Sequence, residues 1–129
     1  MPYTSIDDPT LYFETILWSA VDTSITGLNF QPDWVFIKSQ TNADTLVSFD
    51  SARGVNKRLT PSGNTEEQTT SDELTAFNSD GYTLGTGDNV NRSGHSYVSW
   101  NWKESADAGF DIVTWTGNGS ARTISHSLS

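Results

Sequence analysis

Tyr97-Val98-Ser99-Trp100-Asn101-Trp102-Lys103 changes character at every residue. Side chains on a strand alternate between two faces, so Val98, Trp100 and Trp102 share one side. Tyr97, Ser99, Asn101 and Lys103 share the other. The expectation is a half-buried strand whose Val-Trp-Trp side faces the core. The same logic, carried outward, finds strand-length runs along the whole chain. Residues 12–18 read as a strand, with 24–28 as its hairpin partner. After the Gln31-Pro32-Asp33 turn, residues 34–38 form an apolar run consistent with a strand covered on both faces. Residues 45–49 alternate, with Val47 and Phe49 on one side and Leu46 and Ser48 on the other. An Asp-Gly turn at Asp80-Gly81 precedes a short strand at 82–84. Residues 110–116 and 122–125, around a Gly117-Asn118-Gly119 turn, close the series.

Composition agrees with this reading. Ser and Thr number 17 each, Asn 9 and Gly 10, and Lys occurs only three times in 129 residues. Fifteen aromatics sit mostly inside short apolar runs. That balance belongs to an all-β protein rich in turns rather than to a disordered chain. Closely spaced strands and turns predict an antiparallel sandwich or barrel. The domain expectation is an N-terminal arm at 1–10, where Pro2 and Pro9 interrupt regular structure, and one β domain over 11–129. The run from Thr60 to Glu73 has no apolar residue and reads as a long exposed loop.

The same arithmetic excludes function classes. Without cysteine, disulfide scaffolds, thiolate zinc sites, iron–sulfur clusters and thiol catalysis are closed to this chain. A net charge of −9 argues against a nucleic-acid partner. The longest apolar run, Trp34-Val35-Phe36-Ile37, is far short of the roughly 20 residues that span a bilayer, so no membrane is expected. No N-terminal stretch joins basic residues to an apolar segment, and no secretory signal is expected in the sequence as given.

Candidate chemistry is thin. His95 and His126 are the only histidines, and His95 reads as a solvated or turn-bonded residue. No Gly-x-Ser-x-Gly elbow is present. Glu66-Glu67 and Asp72-Glu73 lie in a polar loop with no apolar pocket to raise a carboxyl pKa. Asp80, Asp88, Asn89 and Asn91 have oxygen-ligand chemistry for calcium, but turn formation accounts for them without a metal. Asp50 and Arg53 read as a turn brace. The expectation is no enzyme activity, no catalytic residue, no metal and no cofactor. Surface aromatics beside amides suit either protein contacts or sugar rings. Trp18, Trp115, Phe110 and Asn118 are the expected interface or glycan contacts.

One internal similarity stands out. Phe13-Glu14-Thr15-Ile16-Leu17-Trp18 aligns with Phe110-Asp111-Ile112-Val113-Thr114-Trp115 at an offset of 97, and Ser24-Ile25-Thr26 aligns with Thr123-Ile124-Ser125 at an offset of 99. Residues 109–129 read as the start of a second copy of the opening hairpin.

The string Ile25-Thr26-Gly27-Leu28-Asn29-Phe30-Gln31-Pro32-Asp33-Trp34-Val35-Phe36-Ile37-Lys38 resembles a motif in β-sandwich repeat modules of tailed-phage virion proteins, common in marine and cyanobacterial phages. The segments Phe49-Asp50-Ser51-Ala52-Arg53-Gly54, Phe77-Asn78-Ser79-Asp80-Gly81-Tyr82 and Tyr97-Val98-Ser99-Trp100-Asn101-Trp102-Lys103 extend the likeness over residues 11–128. The resemblance implies a concanavalin- or SPRY-like sandwich, or a jelly roll. It further implies a non-enzymatic virion structural protein displayed on the particle, as a capsid decoration (cement) or tail-fibre module, with other virion proteins and further copies of itself as partners. The competing expectation is a carbohydrate-binding module for host glycans.

Overall fold

The computed structural model describes residues 6–20 and 24–128. Residues 1–5 of the expected N-terminal arm lie outside the described residues; the rest of the arm leads into a 3-10 turn at Pro9–Leu11, capped by the Asp8 carboxylate on the Thr10 amide at 2.9 Å. Nine strands follow among the described residues: β1 (Phe13–Ser19), β2 (Ser24–Thr26), β3 (Trp34–Ser39), β4 (Val47–Asp50), β5 (Lys57–Arg58), β6 (Gln68–Thr69), β7 (Leu74–Asn78), β8 (Gly81–Leu84) and β9 (Ser96–Trp102). A single helical turn, α1 (Asp88–Asn91), lies between the last two. The chain is all-β, and every strand pairing is antiparallel.

Four strands form one sheet in the order β1-β9-β3-β4, three form a second in the order β2-β8-β7, and β5-β6 make a small ribbon. The two larger sheets enclose one core in a sandwich-like arrangement. Trp18, Val35, Ile37, Val47, Phe49 and Tyr97 meet Ile25, Leu74, Tyr82 and Leu84 there. The aliphatic residues are β-branched or Leu, which pack well on a pleated surface. Gly81 makes the β2–β8 pairing possible, because a Cβ at that position would collide with the Ile25 carbonyl.

Several expectations change. The strand at 24–28 does form, as β2, but its partner is β8 and not β1. β1 and β2 therefore lie in different sheets. Residues 34–38 are not covered equally on both faces, since Val35 and Ile37 are fully buried while Trp34 and Phe36 are half-buried. The 60–73 stretch is not wholly loop. Gln68–Thr69 pairs with Lys57–Arg58, and Glu73 is only 3% exposed because Arg58 Nη1 (2.5 Å) and Asn89 Nδ2 (2.9 Å) both donate to its Oε1.

The largest reversal concerns the strand that heads the sequence reading. On β9 the buried residues are Tyr97, Ser99 and Asn101, and the Val98-Trp100-Trp102 side faces outward. Hydrogen bonds offset most of the cost of burying these polar groups. The Tyr82 hydroxyl donates to Ser99 Oγ at 2.7 Å, and Asn101 Nδ2 donates to Ser99 Oγ at 2.9 Å and to the Glu14 carbonyl at 3.1 Å. Desolvation raises the Tyr82 phenol well above its ordinary pKa, so it remains a donor. The Tyr97 hydroxyl accepts from the Arg92 amide and donates to the Asp88 carbonyl, both at 2.9 Å, which ties α1 to the sheet.

The strands expected at 110–116 and 122–125 do not form. Phe110 makes one bridge, to Ser105, and residues 111–128 run without a ladder partner among the described residues.

Candidate functional site

The outward face of the four-stranded sheet is the chemically distinctive surface of the molecule. Residues directly opposite in antiparallel strands share a face, and the register sorts that face into rows. Phe13, Trp102, Trp34 and Asp50 form one row; Thr15, Trp100, Phe36 and Ser48 form the next; Leu17, Val98 and Lys38 form a third. Aromatic rings dominate the first two. Trp102 lies 5.0 Å from both Phe13 and Trp34, and Phe36 lies 4.4 Å from Trp34 and 5.7 Å from Trp102. The rings are tilted or edge-on, the arrangement that their quadrupoles favour.

This face has a covered end and an open end. At the β4 end, Phe110 stacks on Trp34 with centroids 5.5 Å apart and planes 13° apart. Beyond it, Ile112 and Val113 line a groove of about 350 Å³ with Trp34, Asp50, Arg53 and Leu59. Trp34 Nε1 donates to Ser48 Oγ at 2.9 Å. The charges in the groove are committed to each other. Asp50 accepts from the Arg53 amide at 2.8 Å and from Arg53 Nε at 2.6 Å, while Arg53 Nη1 reaches Glu67 at 3.3 Å. Asp50 and Arg53 thus brace their turn, as the sequence suggests. At the β1 end, by contrast, Phe13 is 40% and Leu17 64% exposed.

The segment that covers the β4 end is held by carboxyl groups. Asp33 accepts from Ser51 Oγ and from the Glu104 amide, each at 2.8 Å. Glu104 Oε1 accepts from the Ile112 amide at 3.3 Å, and Asp111 accepts from the Ser127 amide at 2.5 Å. Glu104 and Asp111 also bond to each other, which, with burial, holds the Glu104 carboxyl above its usual range. The Ser127 amide first, and the shared bond second, hold Asp111 below its own.

The four residues singled out from sequence are scattered. Trp18 is buried, stacked on Tyr97 with centroids 5.5 Å apart. Phe110 belongs to the aromatic face. Trp115 is 62% exposed, and Asn118 is exposed with its Oδ1 accepting from the Ser120 amide at 3.1 Å. The calcium-type oxygens do not converge either: Asp88 pairs with Arg92 at 2.9 Å, Asn89 donates to Glu73, and Asn91 donates to the Gly85 carbonyl at 2.9 Å. His95 Nδ1 lies 3.1 Å from Thr41 Oγ1, and His126 Nδ1 accepts from the Leu128 amide at 3.1 Å. Sequence reasoning missed the outward placement of Phe13, Trp34, Phe36, Trp100 and Trp102. The available signal was the 34–37 run, where aliphatic and aromatic residues alternate: the aliphatics go in and the aromatics out.

No curated protein and no solved structure matches this chain. Residues 8–129, nearly the whole chain and including the segment after β9, match the family described as "Domain of unknown function (DUF7483)", and the chain belongs to that family.

Proposed function

We propose that this chain is a non-enzymatic structural module of a tailed-phage virion, displayed on the particle surface as a decoration or appendage and working through protein–protein contacts. The observation that carries the reading is the outward aromatic face. Five large rings on one side of a sheet form a rigid apolar surface of the kind that interfaces use as their centre, since aromatics contribute large contact area at little entropic cost. The resemblance of residues 25–38 to phage repeat modules supplies the virion context. The acidic surface keeps such modules apart except where the apolar face overcomes the repulsion. Immunogold labelling of particles of the encoding phage tests this. Antibody to the chain should decorate heads or tails, and Trp100→Arg should remove the module from particles while leaving its circular dichroism unchanged. Unlabelled particles overturn the proposal.

A second reading, binding of host glycans, has the groove beside Trp34 in its favour. An aromatic wall next to Asp50 and Arg53 pairs a ring face with hydrogen-bonding groups, which is what a sugar requires. It is the weaker reading, because Phe110 already occupies one face of Trp34 and the two charges satisfy each other. Retention on a glycan array that Trp34→Ala abolishes would decide for it.

A further inference from the structure

Deepening the assembly reading above, and resting on it, we infer that residues 111–117 are a donor strand for a second copy of this chain, adding to the free edge of β1 in a head-to-tail contact. Four observations converge on this pairing. First, the donor has strand chemistry without a strand partner. Ile112-Val113-Thr114-Trp115-Thr116 is β-branched and aromatic throughout, yet it makes no ladder pairing among the described residues.

Second, among the described residues the outer edge of β1 carries no strand partner. β1 lies at the end of its sheet with β9 as its neighbour. Its seven residues contain no proline, no lysine and no register shift, three of the devices that blunt an edge, and their one charge is Glu14. A groove of about 300 Å³ runs beside it, lined by Ile16, Leu17, Trp18 and the β2 residues Ser24, Ile25 and Thr26. Both flanking strands, β1 and β2, are edge strands of their sheets.

Third, the two partners are matched. Leu17 at 64% and Trp115 at 62% are the most exposed large apolar side chains among the described residues. The pairing covers both. The chain as a whole carries −9, which repels other copies, but residues 112–128 hold Arg122 as their one Lys, Arg, Asp or Glu. This is where a second copy approaches at least cost. The donor also repeats the Phe-x-x-x-x-Trp spacing of β1 itself, so its alternation of faces suits this sheet.

Fourth, the geometry sends the donor away from its own acceptor. Phe110 stacks on Trp34 of β3, and Ile112 and Val113 continue beside Asp50 and Arg53 at the β4 end. The free edge of β1 is at the opposite end of the β1-β9-β3-β4 order. Donor and acceptor therefore lie on opposite sides of one molecule. Such a contact is heterologous, so it builds rings or filaments instead of closed two-fold dimers.

The absence of cysteine gives a clean test. Full chains carrying Leu17→Cys are mixed with full chains carrying Val113→Cys, Trp115→Cys or Gly117→Cys, since added strands change register in two-residue steps. Oxidation should give a mixed disulfide for one of the three, at least about tenfold above a control with Ser62→Cys, because a formed contact raises the local concentration of the pair. Leu17→Lys, which leaves the core untouched, should lower the sedimentation coefficient of wild-type assemblies to that of the single chain. An intramolecular disulfide in the Leu17→Cys, Trp115→Cys double variant overturns the proposal by placing the donor in cis. So does a wild-type chain that sediments as a monomer with no disulfide above control. Either negative result leaves the virion reading standing, because particle labelling tests that reading without reference to self-association.

Discussion

The opening strand and its echo near the end of the chain begin with the same spacing and finish in opposite states. Phe13 through Trp18 becomes β1, pairing residue for residue with β9 and burying Trp18 to 7% exposure. Phe110 through Trp115 carries the same Phe-to-Trp pattern, but only its first residues rest on the sheet, and Trp115 stays 62% exposed. Alternation is a necessary condition for a strand and not a sufficient one. A strand also needs an unpaired edge within reach. β9 offers one edge to β1 and the other to β3, so nothing remains on it for the echo.

Four measurements press on that contrast. The largest expected effect is at the two tryptophans. Trp18→Ala should destabilise the fold by roughly 3–5 kcal/mol, as truncation of a buried aromatic does, whereas Trp115→Ala should stay within about 0.5 kcal/mol of wild type. Equal shifts in urea midpoint would break the comparison.

Next comes the polar interior that supports β1. Tyr82→Phe removes one of the two donors to Ser99 Oγ in a fully buried site, leaving Asn101 Nδ2, and a loss of about 1 kcal/mol is expected. Chemical denaturation with an unchanged m-value reads this directly; no loss would mean that the hydroxyl pair does not help position β9.

Next, and no larger, is the one ring stacking that the echo makes. Phe110→Ala should cost about 1 kcal/mol, the scale of a stacked aromatic pair at a half-buried site, and should shift Trp34 emission to the red. An effect as large as that of Trp18→Ala would show that the echo is as integral to the fold as β1.

The smallest effect is on pH dependence at the carboxyl pair that holds the echo. The raised Glu104 carboxyl stabilises the docked segment when protonated, and that contribution is lost as pH rises through its raised value. The depressed Asp111 stabilises it when ionised, and that contribution is lost as pH falls through its lowered value. Both act together between those two limits, and Asp33 nearby adds to the repulsion at higher pH. Amide chemical shifts of Ile112 should therefore move as pH rises above the ordinary carboxylate range, and those of Ser127 as pH falls below it. Glu104→Gln, which can donate to Asp111 without titrating, should flatten the response.

Much of the architecture was written locally in the chain. The alternation at 97–103, the branched run at 34–38, the turn at Asp50 to Gly54 and the Asp80-Gly81 turn each specify a strand or a reversal through nearest-neighbour geometry, and each is present. Absent cysteine and net acidity likewise followed from counting. Three things did not follow, for one physical reason: they depend on what lies opposite. Which face of β9 is buried was decided by Tyr82 reaching Ser99 from the other sheet, which turned a polar face inward and left the tryptophans outside. The partner of β2 was decided by the close approach that Gly81 permits. Residues 110–116 carry a strand pattern yet pair with no strand among the described residues, so their fate was not decided by their own pattern. Period and propensity act over a few residues and set local form; burial and pairing act between segments far apart in sequence, and only the folded chain brings those together.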